Sequence, residues 1–175
     1  MNNDFFKQYS SEIIGSLLCL FAGILSGYLS HTGDTTWYQT LHKSDFNPPL
    51  WAFIPVWTVL YTMMGVALGK IWNYQNQNNN LLLLFMIQFT FNLAWAPLFF
   101  KMHRVDLALY DIILLWISLA ILLILIIMAK NINALFMILL PCFLWITFIA
   151  ALNLNIYQLN PESNNPSYLK LYENV

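Results

Sequence analysis

The sequence predicts an all-α integral membrane protein, a five transmembrane helix bundle formed by a single domain over residues 1–175. Of the 175 residues, 59% are apolar and only 9% are charged, whereas soluble domains carry about 25% charged residues. Five apolar runs each reach the roughly 20 residues that cross a bilayer. Backbone polar groups in lipid must be bonded within their own segment, so these runs are predicted to be helices.

The five predicted spans are joined by polar connections, of which only the first is long. The spans cover residues 12–30, 50–73, 81–100, 107–129 and 134–156, and a polar tail follows at 157–175. The later connections are the short stretches NYQNQNNN, KMHRVD and KNIN. The first connection has about 20 residues and ends in a double proline. Loops of that length without regular structure are usually functional.

The first span carries small residues at every fourth position. Gly15, Cys19, Gly23 and Gly27 therefore lie on one helix face. Helices associate in lipid by close packing, which small side chains permit. We predict that Gly15, Gly23 and Gly27 form a helix-contact face, either within the bundle or, as the alternative, in a homodimer.

The second and third spans combine aromatic rings with amides. Trp57 and Tyr61 lie one turn apart in the second span. In the third span Gln88, Asn92 and Trp95 follow helical spacing and share one face. An amide in hydrocarbon is costly unless it is paired, so this face is expected to look inward. Pro97 lacks a backbone N–H and predicts a kink near the end of the helix.

The fourth and fifth spans complete the bundle. The fourth is apolar nearly all round except for Asp111, which is expected to pair with Arg104 or His103 or to face the bundle. In the fifth span Trp145, Ile149 and either Leu152 or Asn153 lie on one face.

Three spans thus present tryptophan beside a polar group. Ligand sites are mainly apolar and aromatic with a few orienting polar groups, so convergence of these faces predicts a cavity. The alternative is that Gln88 and Asn92 only hydrogen-bond to neighbouring helices.

Other classes of function find little support in the composition. The formal net charge of −1 offers no basic surface to nucleic acid. Both cysteines lie inside predicted spans, and the three histidines are too scattered for a metal site. The residues contain no pattern typical of a catalytic triad or a phosphate loop. We therefore expect no metal and no required cofactor.

An ordered series of motifs runs from Trp37 to Asn153. It begins WYQTLHKSDFNPPLWAFIPVWTVLYTMMG, continues as NLAWAPLFF in the third span and ends as WITFIAALN in the fifth. This series resembles the translocator protein family, also called TspO/MBR, tryptophan-rich sensory proteins or the peripheral-type benzodiazepine receptor. The resemblance extends over four of the five spans, and the family also has five helices.

The resemblance implies a porphyrin ligand, held between the spans beneath the first loop. By motif match Trp51, Asn92, Trp95 and Trp145 line that pocket, with Tyr61 and Ile149 close to it. Family members often have a small residue at the position of Ile149, so this side chain is expected to narrow the cavity. The complete predicted ligand site is Trp51, Trp57, Tyr61, Gln88, Asn92, Trp95, Trp145 and Ile149.

Two loop residues are candidates for the propionates of a porphyrin. His42 and Lys43 lie in the long first connection and carry donors that a carboxylate needs. The alternative is that both are simply solvated.

The function expected from these residues is a membrane receptor or carrier for protoporphyrin IX-like tetrapyrroles, acting in stress sensing or regulation. One alternative is an enzyme that degrades porphyrin with light and oxygen, with Trp51 and Trp145 as the reactive indoles. Another is a sterol- or lipid-binding transporter. The sterol motif of vertebrate family members needs an arginine or lysine within five residues of a tyrosine, whereas Tyr157 is followed by QLNPES, which contains neither. The expected location is a bacterial envelope membrane, with the mitochondrial outer membrane as the alternative.

Overall fold

The computed structural model describes residues 2–32, 36–74, 79–129 and 133–161. Its helices are α1 (Asn2–Leu29), α2 (Thr36–Thr40), α3 (Leu50–Tyr74), α4 (Asn79–Ala96), a π-helical turn (Pro97–Lys101), α5 (Val105–Met128) and α6 (Asn133–Leu159). Within those ranges, five helices are long and apolar enough to cross a membrane: α1, α3, α4, α5 and α6. The predicted five-span architecture is confirmed.

The helix ends differ from the predicted spans mainly at α1. That helix begins at Asn2, ten residues before the predicted span at 12, because a helix can continue beyond the apolar part of a chain. The short helix α2 was not predicted at all, since five residues are too few for a helical period to show. Most of the predicted tail, residues 162–175, lies outside the described residues.

The long helices form a closed ring. Around the bundle the order is α1, α3, α6, α5 and α4, and α4 returns to α1. Side chains such as Phe85, Leu119 and Leu139 are fully buried inside this ring, whereas Leu17 and Phe21 on the outer face of α1 are exposed. This pattern is that of a bundle with an apolar lipid-facing surface.

The helices α1 and α3 cross at glycines. A methyl group added to Gly15 would lie 2.3 Å from the carbonyl oxygen of Gly65, and one added to Gly69 would lie 2.5 Å from the Cα of Glu12. The two backbones therefore touch, as small residues allow. The predicted contact face is thus used within the bundle at Gly15, and that position is not open to a second copy.

The other two glycines of the predicted face have different neighbours. A methyl group at Gly23 would meet the ring of Tyr61 at 2.3 Å, and one at Gly27 would contact only Thr32 Oγ1 at 3.6 Å. Gly23 therefore packs against a side chain of α3, whereas Gly27 makes no close contact with another described helix within the bundle. Beside Gly27 the two helices have separated, which leaves space between them.

A proline changes the course of the third spanning helix. The bond that Pro97 cannot donate would go to the carbonyl of Leu93 in a regular helix. Instead, the Ser26 hydroxyl of α1 donates to the Leu93 oxygen at 2.7 Å. The chain then continues as a π-helical turn, in which the Met102 N–H donates to the Pro97 oxygen at 2.9 Å. The predicted kink is therefore a change of helix type, and a neighbouring helix satisfies the freed carbonyl.

The first connection folds down onto the ends of α4, α5 and α6. Trp37, Tyr38 and Leu41 are buried, and Trp37 stacks on His103 with ring centroids 4.4 Å apart. The Asn160 side chain, which follows α6, holds the backbone of the first connection through two hydrogen bonds. Its Oδ1 accepts from the His42 N–H at 2.9 Å, and its Nδ2 donates to the His42 oxygen at 2.8 Å.

Of the alternatives expected for Asp111, the structure shows the one in which it faces the bundle, and Asp111 does not pair with Arg104. Arg104 instead forms an ion pair with Asp106 at 2.6 Å, and this partner raises the pKa of the Arg104 guanidinium. Asp106 lies two residues beyond Arg104 at the start of α5, so the pair closes locally. Asp111 is buried in α5, and its Oδ2 has no hydrogen-bond partner among the described residues.

Candidate ligand cavity

A cavity of about 490 Å³ lies between α1, α3 and α4. This volume falls within the range of roughly 300–1,000 Å³ that is typical of small-molecule sites. Its lining is largely aromatic and aliphatic, and none of the described residues that line it is charged. The lining consists of Leu20, Gly23, Ile24, Ser26, Gly27, Tyr28, Thr32, Trp51, Phe53, Ile54, Trp57, Thr58, Tyr61, Asn92, Trp95, Ala96 and Phe100.

One wall of the cavity is a series of nearly parallel rings. Trp57 stacks on Tyr61 with centroids 5.5 Å apart and 30° between the planes. Trp57 also lies near Trp95, with centroids 6.5 Å apart and 27° between the planes. Trp95 stacks in turn on Phe99 at 5.3 Å and 24°, but Phe99 is outside the lining of this cavity. Helical spacing brings Trp57 and Tyr61 together, whereas the packing of α3 on α4 adds Trp95.

The orientation of the Trp95 ring is fixed by a hydrogen bond to α6. Its Nε1 donates a hydrogen bond to Asn153 Oδ1 at 3.1 Å, and Asn153 Nδ2 donates to the Val105 oxygen at 3.0 Å. One buried amide of α6 thus joins α4 to α5. The sequence left Leu152 and Asn153 as alternatives for the inward face, and Asn153 is the residue that holds the aromatic wall.

A polar group faces the cavity from α4. Asn92 lines the cavity and is 2% exposed, and neither its Oδ1 nor its Nδ2 has a hydrogen-bond partner among the described residues. Gln88, one turn away, is buried with both side-chain polar atoms equally unpartnered, but it does not line the cavity. Of the two predicted amides, only Asn92 is therefore in position to contact a ligand.

The end of α1 shapes one corner of the cavity. His31 adopts a left-handed backbone with φ of 52°. The Thr32 N–H then donates to the Gly27 oxygen at 3.3 Å, and the His31 N–H donates to the Tyr28 oxygen at 3.2 Å. This pair of bonds is the Schellman arrangement that closes helices. It turns the chain back so that Thr32 lines the cavity beside Gly27.

A second, much smaller cavity of about 20 Å³ lies under the first connection. Ile149 lines it, together with Leu152 and Ile156 of the same helix. Phe53 and Trp95 line both cavities and therefore form part of the partition between them. The sequence predicted Ile149 in the main lining, but the structure places it behind this partition.

Trp145 also lies outside the lining of the main cavity. Its ring packs edge-on against Phe53 with centroids 6.1 Å apart, and Phe53 stands between Trp145 and the cavity wall. The helical period placed Trp145 on the inward face of α6. It could not show that the ring of Phe53, in α3, covers Trp145.

The loop candidates for propionate binding do not reach the cavity. Lys43 Nζ donates to the backbone oxygens of Tyr38 and Leu41, the latter at 2.8 Å, and lies 4.6 Å from the centre of the Tyr38 ring. Partial burial lowers the pKa of this ammonium group. His42 is held through its backbone by Asn160. In this arrangement Lys43 secures the loop, and neither residue lines the site.

Several lining residues were missed by sequence reasoning. Phe53 lies one turn before Trp57, so the helical period could have found it. Phe100 belongs to the π-helical turn, where a regular period fails. Ser26 was hidden among the apolar residues of α1, and no signal in the sequence marks it.

The arrangement of five spanning helices around an aromatic cavity is matched by one protein family. The sequence profile of the TspO/MBR family matches residues 15–159. The chain belongs to the TspO/MBR family. As a member it is a multi-pass integral membrane protein, in agreement with its five spanning helices.

Individual TspO/MBR relatives come from several kinds of organism. The chain is 39% identical over 148 residues to the tryptophan-rich protein TspO of Chlorobaculum tepidum, covering 82% of this chain and 92% of the relative. It is 33% identical over 151 residues to the tryptophan-rich protein TspO of Archaeoglobus fulgidus, covering 85% and 97%. Identity to the translocator protein of Bos taurus is 32% over 103 residues, covering 57% and 61%.

Proposed function

We propose that this TspO/MBR protein binds a porphyrin in the cavity between α1, α3 and α4 and serves as a membrane receptor or carrier for it. The observation that carries the proposal is the wall formed by Tyr61, Trp57 and Trp95, whose planes lie within about 30° of their neighbours. Flat π-systems stack on such rings with offset or tilted geometry. The family resemblance supplies the identity of the flat ligand.

The polar features of the cavity suit part of such a molecule. Asn92 offers a carbonyl oxygen and an NH₂ group that no described residue uses. A pyrrole N–H or a polar substituent of the ring would satisfy them, which removes the cost of leaving an amide unpaired. The described residues that line the cavity carry no charge, so the two propionates are expected to remain at the mouth of the cavity, where water and headgroups solvate them.

The proposal is tested by titrating the purified protein in lipid nanodiscs with protoporphyrin IX, following the Soret band against empty nanodiscs. Asn92→Leu and Gln88→Leu are a matched pair, because both remove a buried unpartnered amide from the same helix face and only Asn92 lines the cavity. We expect saturable binding by the wild type. We expect Asn92→Leu to raise Kd about tenfold and Gln88→Leu to leave it unchanged. Absence of saturable binding above empty nanodiscs would refute the proposal.

A second candidate is light-dependent breakdown of the bound porphyrin by oxygen, in which an indole donates an electron to the excited ring. Three indoles line the cavity, those of Trp51, Trp57 and Trp95, so these would be the donors rather than Trp145. Illuminating the complex in air tests this function. Loss of the Soret band no faster than for porphyrin in empty nanodiscs would exclude it.

A further inference from the structure

The gap between α1 and α3 widens along their length. A methyl group added to α1 would meet the α3 backbone at Gly15 and the Tyr61 ring of α3 at Gly23. At Gly27 it would meet Thr32 Oγ1 at 3.6 Å and no described atom of α3 within 4 Å. The glycine crossing therefore closes one end of this helix pair. The other end, where the cavity lies, stands open.

The side chains on both sides of this gap line the cavity and are also exposed. On α1 they are Ile24 and Tyr28, with 61% and 78% of their surface exposed. On α3 they are Trp51 and Ile54, with 73% and 75% exposed. A side chain that lines the cavity and is also exposed on the outside of the bundle marks an opening of the cavity. We refer to these four residues as the α1–α3 opening.

The α1–α3 opening lies near the edge of the membrane. Ile24 and Tyr28 belong to the last turns of the span Tyr9–Leu29, and Trp51 and Ile54 belong to the first turn of the span Trp51–Tyr74. Tyrosine and tryptophan are enriched at this level, where apolar chains meet headgroups. Residues 36–49 of the first connection do not line the cavity; their buried side chains pack on the ends of α4 to α6 instead.

We propose that the ligand enters and leaves sideways, from the bilayer through the α1–α3 opening. This inference rests on the proposed porphyrin function and adds a route to it. The molecule that fits is a planar amphiphile already dissolved in one leaflet. Its apolar edge passes between Ile24 and Ile54 while its carboxylates stay at the headgroups, because the described lining residues carry no charge that would offset their desolvation.

The test changes the width of the opening in both directions. Ile24→Phe and Ile54→Phe narrow it, and Ile24→Ala and Ile54→Ala widen it. The matched control is Ile124→Phe on α5, which is 55% exposed and lines neither described cavity. Association and dissociation of protoporphyrin IX are followed by stopped-flow fluorescence in nanodiscs.

A substitution in the route changes the association and the dissociation rate constants in the same direction. We expect the Phe variants to slow association and dissociation about fivefold or more, and the Ala variants to speed both. Because Ile24 and Ile54 also line the cavity, the parallel change in the two rate constants is the deciding readout. The control should match the wild type. Unchanged rates in all four variants, or a changed Kd with an unchanged association rate, would overturn the lateral route. Absence of saturable binding by the wild type would instead defeat the proposed function.

Discussion

The indole Nε1 of Trp95 donates a hydrogen bond to Asn153 Oδ1 at 3.1 Å, and both side chains are buried. Asn153→Leu would leave the buried Trp95 N–H without a partner, and it would remove the Asn153 bond to the Val105 oxygen, which still accepts within α5. An unsatisfied buried donor costs about 1–3 kcal/mol. We expect the free energy of unfolding to fall by about that amount, and porphyrin affinity to fall because Trp95 is no longer held.

The control for this variant is Asn79→Leu, which replaces an exposed asparagine at the start of α4. Thermal unfolding in the same detergent compares the two proteins. Equal melting temperatures for Asn153→Leu and Asn79→Leu would show that the bond does not hold the wall.

The bond from Ser26 to the Leu93 oxygen gives a second test of the bundle. Ser26→Ala would leave the carbonyl freed by Pro97 unsatisfied, so we expect a loss of about 1–2 kcal/mol of unfolding free energy. Thr90→Val is the control, because the Thr90 hydroxyl donates only to the Met86 oxygen of its own helix and is exposed. Chemical unfolding followed by circular dichroism measures both. If the control lost as much as Ser26→Ala, the cross-helix bond would have no special role.

The glycine crossing predicts opposite results for two Gly→Ala changes. The added methyl of Gly65→Ala would lie 2.2 Å from the Cα of Ser16, so α1 and α3 must separate. We expect a loss of more than about 3 kcal/mol or failure to fold. Gly27→Ala meets only an ordinary contact, and alanine favours a helix over glycine by up to about 1 kcal/mol. Yield and melting temperature after purification distinguish the two, and equal behaviour would contradict the close crossing.

Trp145 was expected from the sequence to line the cavity, but the structure places it outside the lining. Because Phe53 stands between Trp145 and the cavity, Trp145→Phe should leave the Kd for protoporphyrin IX within about twofold of the wild-type value. A Soret titration measures it. A loss of affinity as large as that of Asn92→Leu would mean that the ligand reaches past Phe53 to α6.

Helical periodicity predicted which residues share a helix face, but not which neighbouring helix covers that face. Hydropathy placed the five spans, because lipid forces each long apolar run to be a helix. Helical spacing then found the faces that carry Trp57 and Asn92. It did not show which neighbour covers a face, which is why Trp145 and Gln88 were assigned to the cavity and lie outside its lining.

Other details depended on contacts between distant parts of the chain. The missing N–H of Pro97 was evident from sequence, but its consequence was not, since Ser26 lies 67 residues before the carbonyl it satisfies. The role of Lys43 was likewise hidden, because its partners are backbone oxygens of its own loop.

The most direct test of the central claim compares substitutions of two tryptophans, one that lines the cavity and one that lies outside it. Trp57 lines the cavity in the middle of the stacked rings, whereas Trp116 lies on the outer side of α5 and bonds to Thr147 at 2.9 Å. A Soret titration with protoporphyrin IX should give a Kd about tenfold weaker for Trp57→Leu and an unchanged Kd for Trp116→Leu. Equal affinity in both variants would contradict the claim that a porphyrin stacks on this wall.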